Sequence, residues 1–181
     1  MLYCLIGKSG AGKDTLFKRL EYKKVVGYTT RKRREGEQEG VEYHFVSEKE
    51  MNEFKDKGLI LEIREYDTVN GKLYYFTLDD EQLVSNEPTF MICSPEQFKS
   101  IKERKSDVIS ILLEMDNGER LIRAIKREHL KDYSEICRRY LSDEESFKNF
   151  KADYIIDSSN CFGYKILAKI NKIVGDTKGD R

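Results

Sequence analysis

Three features of the 181-residue sequence predict an α/β fold, in which helices flank a parallel sheet that carries a small antiparallel β-rich lobe. Short apolar runs, typical of buried strands, alternate with helical patterns at both ends of the chain. Strand patterns and a hairpin signal lie between them, within residues 31–84. A glycine-rich segment separates the first strand pattern from the first helical pattern. Because ligands of such folds bind beyond the carboxyl ends of the parallel strands, we expect the functional site there.

The first half of the chain carries the strand patterns of the lobe. Residues 2–6 are apolar and bounded by a turn, which predicts a strand, and apolar residues at 16, 17 and 20 predict a helix. Residues 25–30 and 41–46 predict short strands. Ser47 and Glu50 have capping-box spacing, which predicts a helix that begins there and ends at Gly58. Residues 59–66 and 72–77 predict two strands joined by a hairpin turn at Asn70 and Gly71.

The second half returns to alternating strands and helices. Strand patterns occupy residues 89–93, 108–113 and 154–156. Helical patterns begin near residue 79 and occupy residues 95–104, 118–128, 134–150 and 164–174. The polar residues 175–181 are expected to be disordered.

Composition and charge narrow the function classes. The sequence has 33 basic and 33 acidic residues, so it lacks the positive field that binds nucleic acid. No apolar run approaches the roughly 20 residues of a membrane span, and the N-terminal run does not have the pattern of a signal peptide. The four cysteines are widely spaced, which indicates thiols in a reducing cytoplasm rather than a zinc site. We therefore expect a cytoplasmic protein that binds neither nucleic acid nor membranes.

The glycine-rich segment has the strand-to-helix context of a phosphate-binding loop. Its glycines allow a tight turn whose N–H groups point at one phosphate chain, and Lys13 adds a full positive charge. The pattern G-x-x-x-x-G-K-[ST] fails at one place, because Asp14 follows Lys13 and a hydroxyl comes one residue later. The alternative is a glycine-rich turn that binds nothing. The predicted nucleotide-phosphate site comprises Gly7, Lys8, Ser9, Gly10, Ala11, Gly12, Lys13, Asp14 and Thr15.

A second constellation lies in residues 29–46. The guanidinium groups of Arg31 and Arg34 suit a doubly charged phosphate, and Tyr43 offers a hydroxyl to the same anion. The alternatives for the four consecutive basic residues at 31–34 are a solvated turn and a nucleic-acid-binding patch.

The same segment matches the pattern T-T-R-x-x-R-x-G-E-x-x-G-x-[DE]-Y-x-F-V, and with the glycine-rich segment it resembles the guanylate kinase family. The resemblance is strong over residues 5–66 and weak over residues 85–181. It implies a P-loop kinase fold with a core of residues 1–30 and 85–181. Residues 31–84 would form a lobe that binds the nucleoside monophosphate, and residues from about 120 to 142 a helical lid.

The resemblance assigns Glu62 to the guanine base of GMP. A carboxylate only accepts hydrogen bonds, and guanine presents the adjacent donors N1–H and the 2-amino group, whereas adenine presents an acceptor at N1. The alternative is a solvent-exposed carboxylate at a strand edge. Tyr74 matches the family's second phosphate-binding tyrosine, and its alternative is a packed aromatic of the sheet. With Arg31, Arg34 and Tyr43, these residues complete the predicted GMP site.

The resemblance also assigns catalytic arginines beside Lys13. Arg123 and Arg127 match the lid arginines, and Arg139 matches the arginine of the following helix, with Arg138 as an alternative match. Such arginines neutralise charge on the transferring phosphoryl group. The alternative is a solvated helix face with ion pairs.

Besides Asp14, five positions depart from the family pattern. Gly27 and Phe76 stand where the family has serines that help to recognise the base. Ile92 and Ser94 replace an acidic pair, and Ser158 stands near the position of an asparagine that touches the donor base.

The resemblance implies ATP and Mg²⁺. The loss of the acidic pair changes which residues could hold the Mg²⁺ ion. A carboxylate is missing from residues 91–94 and a new one appears at Asp14, so we hypothesise that Asp14 supplies the magnesium-side carboxylate. Mg²⁺ needs few protein ligands here, because phosphate and water oxygens complete its coordination.

The function implied by the resemblance is ATP-dependent phosphorylation of GMP, with dGMP as a further acceptor. One alternative is a kinase for another nucleoside monophosphate or small acceptor, which the altered base-contact positions favour. The other is a non-catalytic guanylate-kinase-like module that binds phosphopeptides, although such a module does not need the glycine loop. The sequence leaves monomer and homo-oligomer open.

Overall fold

A computed structural model describes residues 1–68, 71–83, 87–127, 133–159 and 163–179 of the chain. The predicted α/β architecture is confirmed, with a parallel sheet, a second sheet and packed helices. The strands are β1 Leu2–Ile6, β2 Lys23–Lys24, β3 Tyr28–Thr29, β4 His44–Phe45, β5 Ile60–Thr68, β6 Gly71–Leu78, β7 Thr89–Ile92, β8 Val108–Glu114 and β9 Tyr154–Asp157. The helices are α1 Lys13–Arg19, α2 Glu48–Asp56, α3 Pro95–Arg104, α4 Asn117–Arg127, α5 Tyr133–Phe147 and α6 Gly163–Gly179.

The larger sheet has the strand order β2-β7-β1-β8-β9, and all its neighbouring strands are parallel. Both of its faces are covered by helices. On one face, Tyr3 of β1 packs in a cluster with Leu16 of α1 and Ile170 of α6. On the other face, Cys4 packs in a cluster with Ile101 of α3. Since successive side chains of a strand point to opposite faces, β1 has to be apolar throughout.

The smaller sheet, predicted as an antiparallel β-rich lobe, has the order β4-β3-β6-β5 and contains one parallel pair beside two antiparallel pairs. β3 and β4 pair in parallel, whereas β6 runs antiparallel to both β3 and β5. The sheet begins at Tyr28, before the predicted lobe boundary at residue 31. Met51 of α2 packs against Phe76 on one face. β5 and β6 form the predicted hairpin, although Asn70 lies outside the described residues.

Capping chemistry sets the start of two helices. The predicted capping box opens α2, where the hydroxyl of Ser47 accepts the N–H of Glu50 at 3.2 Å. A second capping box, formed by Ser94 and Gln97, opens α3 and was not identified from the sequence. Side-chain caps satisfy N–H groups that the first helical turn leaves without partners.

Two predictions about secondary structure were wrong. Residues 79–83 form turns instead of starting a helix, because the Asp80 carboxylate accepts the N–H of Gln82 at 2.9 Å and so favours a turn. The polar tail was expected to be disordered, but α6 continues to Gly179. The hydroxyl of Thr177 donates to the Ile173 carbonyl at 2.8 Å within this extension.

The described residues contain no helix that is long and apolar enough to cross a membrane. Cys4, Cys93 and Cys137 are free thiols as predicted, and Cys161 lies outside the described residues. Burial raises the pKa of the Cys93 thiol well above its usual value.

The core of the larger sheet can be tested at Ile170, whose side chain is fully buried in the cluster around Tyr3. Ile170→Ala should lower the free energy of unfolding by about 2–5 kcal/mol, because it removes buried methyl groups and leaves a cavity. Chemical denaturation monitored by circular dichroism measures this loss. Ile155→Ala is the matched control, since Ile155 on β9 is 60% exposed. Equal losses in the two variants would contradict the assigned core.

Candidate active site

The glycine-rich loop between β1 and α1 has a conformation that only glycine adopts without strain at two positions. Gly10 and Gly12 have φ angles of 89° and 88°, in the left-handed region. A Cβ atom at Gly10 would also collide with the carbonyl oxygen of Arg120 on α4. The glycine pattern therefore serves both the turn of the loop and the close approach of α4.

Lys13 folds back over this loop. Its Nζ donates to the carbonyl oxygen of Gly7 at 2.5 Å and to that of Lys8 at 3.3 Å. Lys13 and Asp14 border a cleft of about 420 Å³, and Thr15 borders a smaller cavity of about 190 Å³. The loop thus has a cavity on either side.

The acidic end of α5 lies against the loop. The Ser9 N–H donates to Asp143 Oδ2 at 2.6 Å, and Lys8 Nζ donates to Glu144 Oε1 at 2.9 Å. Arg120 is 1% exposed and pairs with both carboxylates, at 3.6 Å for Asp143. The hydrogen bond from Lys8, together with Arg120, lowers the pKa of Glu144. The carboxylate oxygens of α5 therefore accept hydrogen bonds from one N–H group of the loop and from the side chain of Lys8.

The predicted lid arginines lie on α4 and α5. Arg123 is half-exposed, pairs with Glu119 at 2.7 Å and borders the smaller cavity beside Thr15. Arg127 is the last residue of α4. Arg139 is exposed on α5, one helical turn before Asp143.

Neighbouring side chains hold the guanidinium of Arg31 in place without a ligand. Its guanidinium donates to Glu37 through two bonds of 2.9 and 2.7 Å, and its Nε donates to the hydroxyl of Tyr75 at 3.1 Å. These bonds from Arg31 lower the pKa of the Glu37 carboxyl to about 2. Arg34 is exposed nearby, and its N–H donates to Glu37 at 2.8 Å. The structure thus fixes one predicted arginine and leaves the other at the surface.

Glu62 is buried at 6% exposure, which excludes the alternative of a solvent-exposed carboxylate. A register shift between Ile60 and Glu62 in the β5–β6 pairing changes the side-chain alternation at this point. Its Oε1 accepts the Thr77 hydroxyl at 2.9 Å and Gln97 Nε2 at 3.0 Å. Its Oε2 has no hydrogen-bond partner among the described residues, and Arg64 Nε lies 3.6 Å away.

Tyr74 and Tyr75 lie on opposite faces of β6. The Tyr74 side chain packs in the cluster of Met51 and Phe76, on the face that α2 covers. The next residue, Tyr75, lies on the opposite face, where it contacts Arg31 and its ring lies 5.4 Å from that of Tyr43. Because side chains alternate along a strand, Tyr75 shares a face with Arg31 and Tyr74 does not, while the phosphate role of Tyr74 stays a prediction.

The cleft beside Lys13 joins the loop to the smaller sheet. Lys13 and Asp14 border it on one side, and Tyr43, which precedes β4, and Thr77 of β6 border it on the other. Burial raises the pKa of Tyr43, so its phenol stays protonated as a donor. Of the second constellation, Tyr43 borders this cleft, whereas Glu62 borders a second cavity that shares Arg64 and Gln97 with it.

Comparison with known proteins shows to which family the chain belongs. The family model described as guanylate kinase matches residues 1–174. The chain belongs to the guanylate kinase family. It is 30% identical over 172 residues to the guanylate kinase of Prochlorococcus marinus strain MIT 9312, covering 91% of this chain and 87% of that one. It is 32% identical over 165 residues to the guanylate kinase of Wolbachia pipientis wMel, covering 86% and 81%.

A solved structure shares the fold. The crystal structure of guanylate kinase from Anaplasma phagocytophilum superposes with a TM-score of 0.63 at 20% identity, covering 98% of this chain and 85% of that one.

The structure shows what the departures from the guanylate kinase pattern do. Phe76 is buried against α2, and the hydroxyl beside Glu62 comes from the following residue, Thr77. Ser94 caps α3, and Ile92 packs against a core cluster. Ser158 is 2% exposed and donates to the Glu114 carbonyl at 2.7 Å. These side chains satisfy structural needs of this chain.

Sequence reasoning missed Arg120, Asp143 and Gln97. Arg120 and Asp143 belong to helices whose dense charge is typical of solvated faces, so no local signal distinguished them. Gln97 did carry a signal, since its spacing from Ser94 is that of a capping box.

The contact between α5 and the loop predicts the effect of Asp143→Asn on this guanylate kinase family member. ATP phosphates bound at the loop would have to displace Asp143 from the Ser9 N–H, and an uncharged amide would be displaced more easily. A charge contribution of about 1 kcal/mol corresponds to roughly fivefold tighter ATP binding. Isothermal titration calorimetry measures this dissociation constant. Glu145→Gln is the control on the same helix, and an ATP affinity equal to that of the parent would contradict the competition.

Proposed function

We propose that the chain catalyses ATP-dependent phosphorylation of GMP to the diphosphate, with dGMP as a further acceptor. The observation that carries this proposal is the single cleft bordered by Lys13 on one side and by Tyr43 and Thr77 on the other. A donor-phosphate loop and an acceptor pocket have to face each other for direct phosphoryl transfer. Membership of the guanylate kinase family supports the same activity.

The glycine loop and Lys13 are proposed to hold the phosphates of ATP. Successive N–H groups of the loop and the ammonium group stabilise the negative charge. The lid arginines Arg123, Arg127 and Arg139 are proposed to neutralise the charge that develops on the transferring phosphoryl group. Closure of a lobe of residues 31–84 and a lid of residues from about 120 to 142 over the substrates would exclude water.

The acceptor pocket is proposed to bind GMP both at its phosphate and at its guanine base. Arg31, Arg34, Tyr43 and Tyr75 are suited to its phosphate, because they combine two guanidinium groups with two hydroxyl groups. Glu62 is suited to its base, because a buried carboxylate with one unpartnered oxygen accepts the N1–H and 2-amino donors of guanine.

Mg²⁺ fits the site as an ion carried by the nucleotide. The described residues contain no group of three His, Cys, Asp or Glu side chains placed to hold a metal, which argues against a cage made by the protein alone. Asp14 is exposed at the first turn of α1 and borders the cleft beside Lys13, so we propose that it supplies one carboxylate. When bound, Mg²⁺ would neutralise phosphate charge, and one carboxylate suffices where phosphate and water oxygens fill the remaining positions.

The balanced charge of 33 basic and 33 acidic residues supports a small-molecule enzyme of the cytoplasm. A phosphopeptide-binding module needs no phosphate loop, and the complete loop around Lys13 therefore favours catalysis.

The function is tested by comparing acceptors. The parent should phosphorylate GMP with a kcat/KM roughly tenfold to a hundredfold above that for AMP, since AMP leaves a buried carboxylate facing an acceptor at a cost of about 1–3 kcal/mol. Inosine monophosphate, which keeps N1–H but lacks the 2-amino group, should fall between them. Glu62→Gln should bring the three values together, because its amide oxygen would accept from Thr77 and Gln97 and its NH₂ group would then face the base. The guanine donors would lose their acceptor, and the adenine N1 acceptor would gain a donor. A coupled assay of ADP release measures all of these rates.

One control variant and two contradicting outcomes make the acceptor comparison decisive. Lys13→Ala should remove phosphoryl transfer while the circular dichroism spectrum stays that of the parent. A parent that uses AMP as well as GMP would refute selection of guanine by Glu62, whereas a parent with no transfer to any nucleoside monophosphate would refute the enzyme itself.

The proposed metal role predicts that Asp14→Asn weakens the effect of Mg²⁺ on ATP. The variant keeps the size of the side chain but loses its charge, so it should need about tenfold more Mg²⁺ for half-maximal turnover if the contact contributes about 1.4 kcal/mol. Calorimetric titration of ATP with and without Mg²⁺ gives a second measurement, in which the Mg²⁺-dependent gain in affinity should shrink. The KM for GMP should not change. Glu21→Gln, an exposed carboxylate just beyond α1, should behave like the parent. A parental Mg²⁺ titration in Asp14→Asn would assign Asp14 to the helix terminus alone.

A further inference from the structure

Gln97 connects the start of α3 to the buried carboxylate of Glu62. Its side chain is 6% exposed, and its Oε1 accepts the Ser94 N–H at 2.9 Å. Its Nε2 donates to Glu62 Oε1 at 3.0 Å. Because the Ser94 N–H can only donate, the amide oxygen must face Ser94, and the amide NH₂ group must then face Glu62. The orientation of the amide thus follows from the backbone of α3.

This contact decides how the two oxygens of Glu62 are used. Oε1 receives two donors, Gln97 Nε2 at 3.0 Å and the Thr77 hydroxyl at 2.9 Å. Oε2 has no hydrogen-bond partner among the described residues and lies 3.6 Å from Arg64 Nε. One oxygen is therefore anchored by neutral donors on two different elements, while the other keeps its capacity to accept.

We infer that Gln97 is a positioning residue for base recognition, which holds Glu62 by Oε1 and so presents Oε2 to the N1–H and 2-amino donors of guanine. This inference rests on the proposed function. Gln97 acts through Glu62, and its effect on the enzyme should appear in the choice of acceptor base. A buried side chain held by two donors from β6 and α3 keeps one rotamer, and recognition then needs no reordering when the base binds.

The test has to separate positioning from helix capping, because Gln97 does both. Gln97→Glu keeps an oxygen that accepts the Ser94 N–H, but it turns an acceptor instead of a donor toward Glu62. Gln97→Met fills a similar volume and removes both contacts. Glu50→Ala is the matched capping control, since Glu50 accepts the Ser47 N–H at 2.7 Å in the capping box of α2, which has no contact with Glu62.

The readouts are kcat/KM for GMP, inosine monophosphate and AMP, the KM for ATP, and the melting temperature. Gln97→Glu and Gln97→Met should each lower kcat/KM for GMP about tenfold to a hundredfold and leave the KM for ATP unchanged. The ratio of GMP to inosine monophosphate should fall toward one, because the contact with the 2-amino group depends on where Oε2 points. Glu50→Ala should lower the melting temperature and keep the parental ratios.

A double-mutant cycle supplies the decisive comparison. If Gln97 acts through Glu62, then adding Gln97→Met to Glu62→Gln should change the acceptor ratios no further. Variants of Gln97 that melt earlier but keep the parental preference for GMP would overturn the inference and leave the proposed function intact. Additive effects in the cycle would overturn it in the same way. A parent without preference for GMP would overturn both, so the two failures are distinguishable.

Discussion

The burial of Arg120 ties together the parts of the structure that surround the glycine loop. A guanidinium group that is 1% exposed has to be paired, since an isolated charge inside a protein is very costly. Its partners are Asp143 and Glu144, and the ring of Tyr140 lies 3.9 Å below its guanidinium. Its backbone carbonyl lies against Gly10. Ion pairing thus fixes α5 on the loop, while the apolar side chain of Leu141 on the same helix stays 68% exposed.

The acceptor side of the cleft is organised by a different principle, in which neighbours hold each polar group before a ligand arrives. Glu37 and Tyr75 orient Arg31. The Glu37 carboxylate, whose pKa the hydrogen bonds from Arg31 lower, stays charged far below neutral pH. Thr77 and Gln97 orient Glu62. Donors and acceptors that are placed in advance reduce the ordering cost of binding.

The positions of side chains on strands and helices show what stands in place of the residues of the guanylate kinase pattern that this chain lacks. The hydroxyl absent at residue 76 appears at Thr77, because the strand alternates and only the second residue faces Glu62. The position of one lost carboxylate is taken by Ser94, which starts α3 and thereby positions Gln97. A hydroxyl thus reaches Glu62 from residue 77, and the side chain of Ser94 serves the start of α3.

The sequence by itself determined the fold class, the glycine loop and the segment around Arg31, because each depends on a short-range pattern. Apolar periodicity predicts buried strands, and a left-handed turn requires glycine at given positions. Only the tertiary structure decided that Tyr75 instead of Tyr74 faces Arg31, since a change of one residue in strand register moves a side chain to the other face. It also decided that Arg120, Asp143 and Gln97 belong to the site. Their partners are distant in sequence, and burial, which converts a charged helix face into a paired interior, is a property of packing alone.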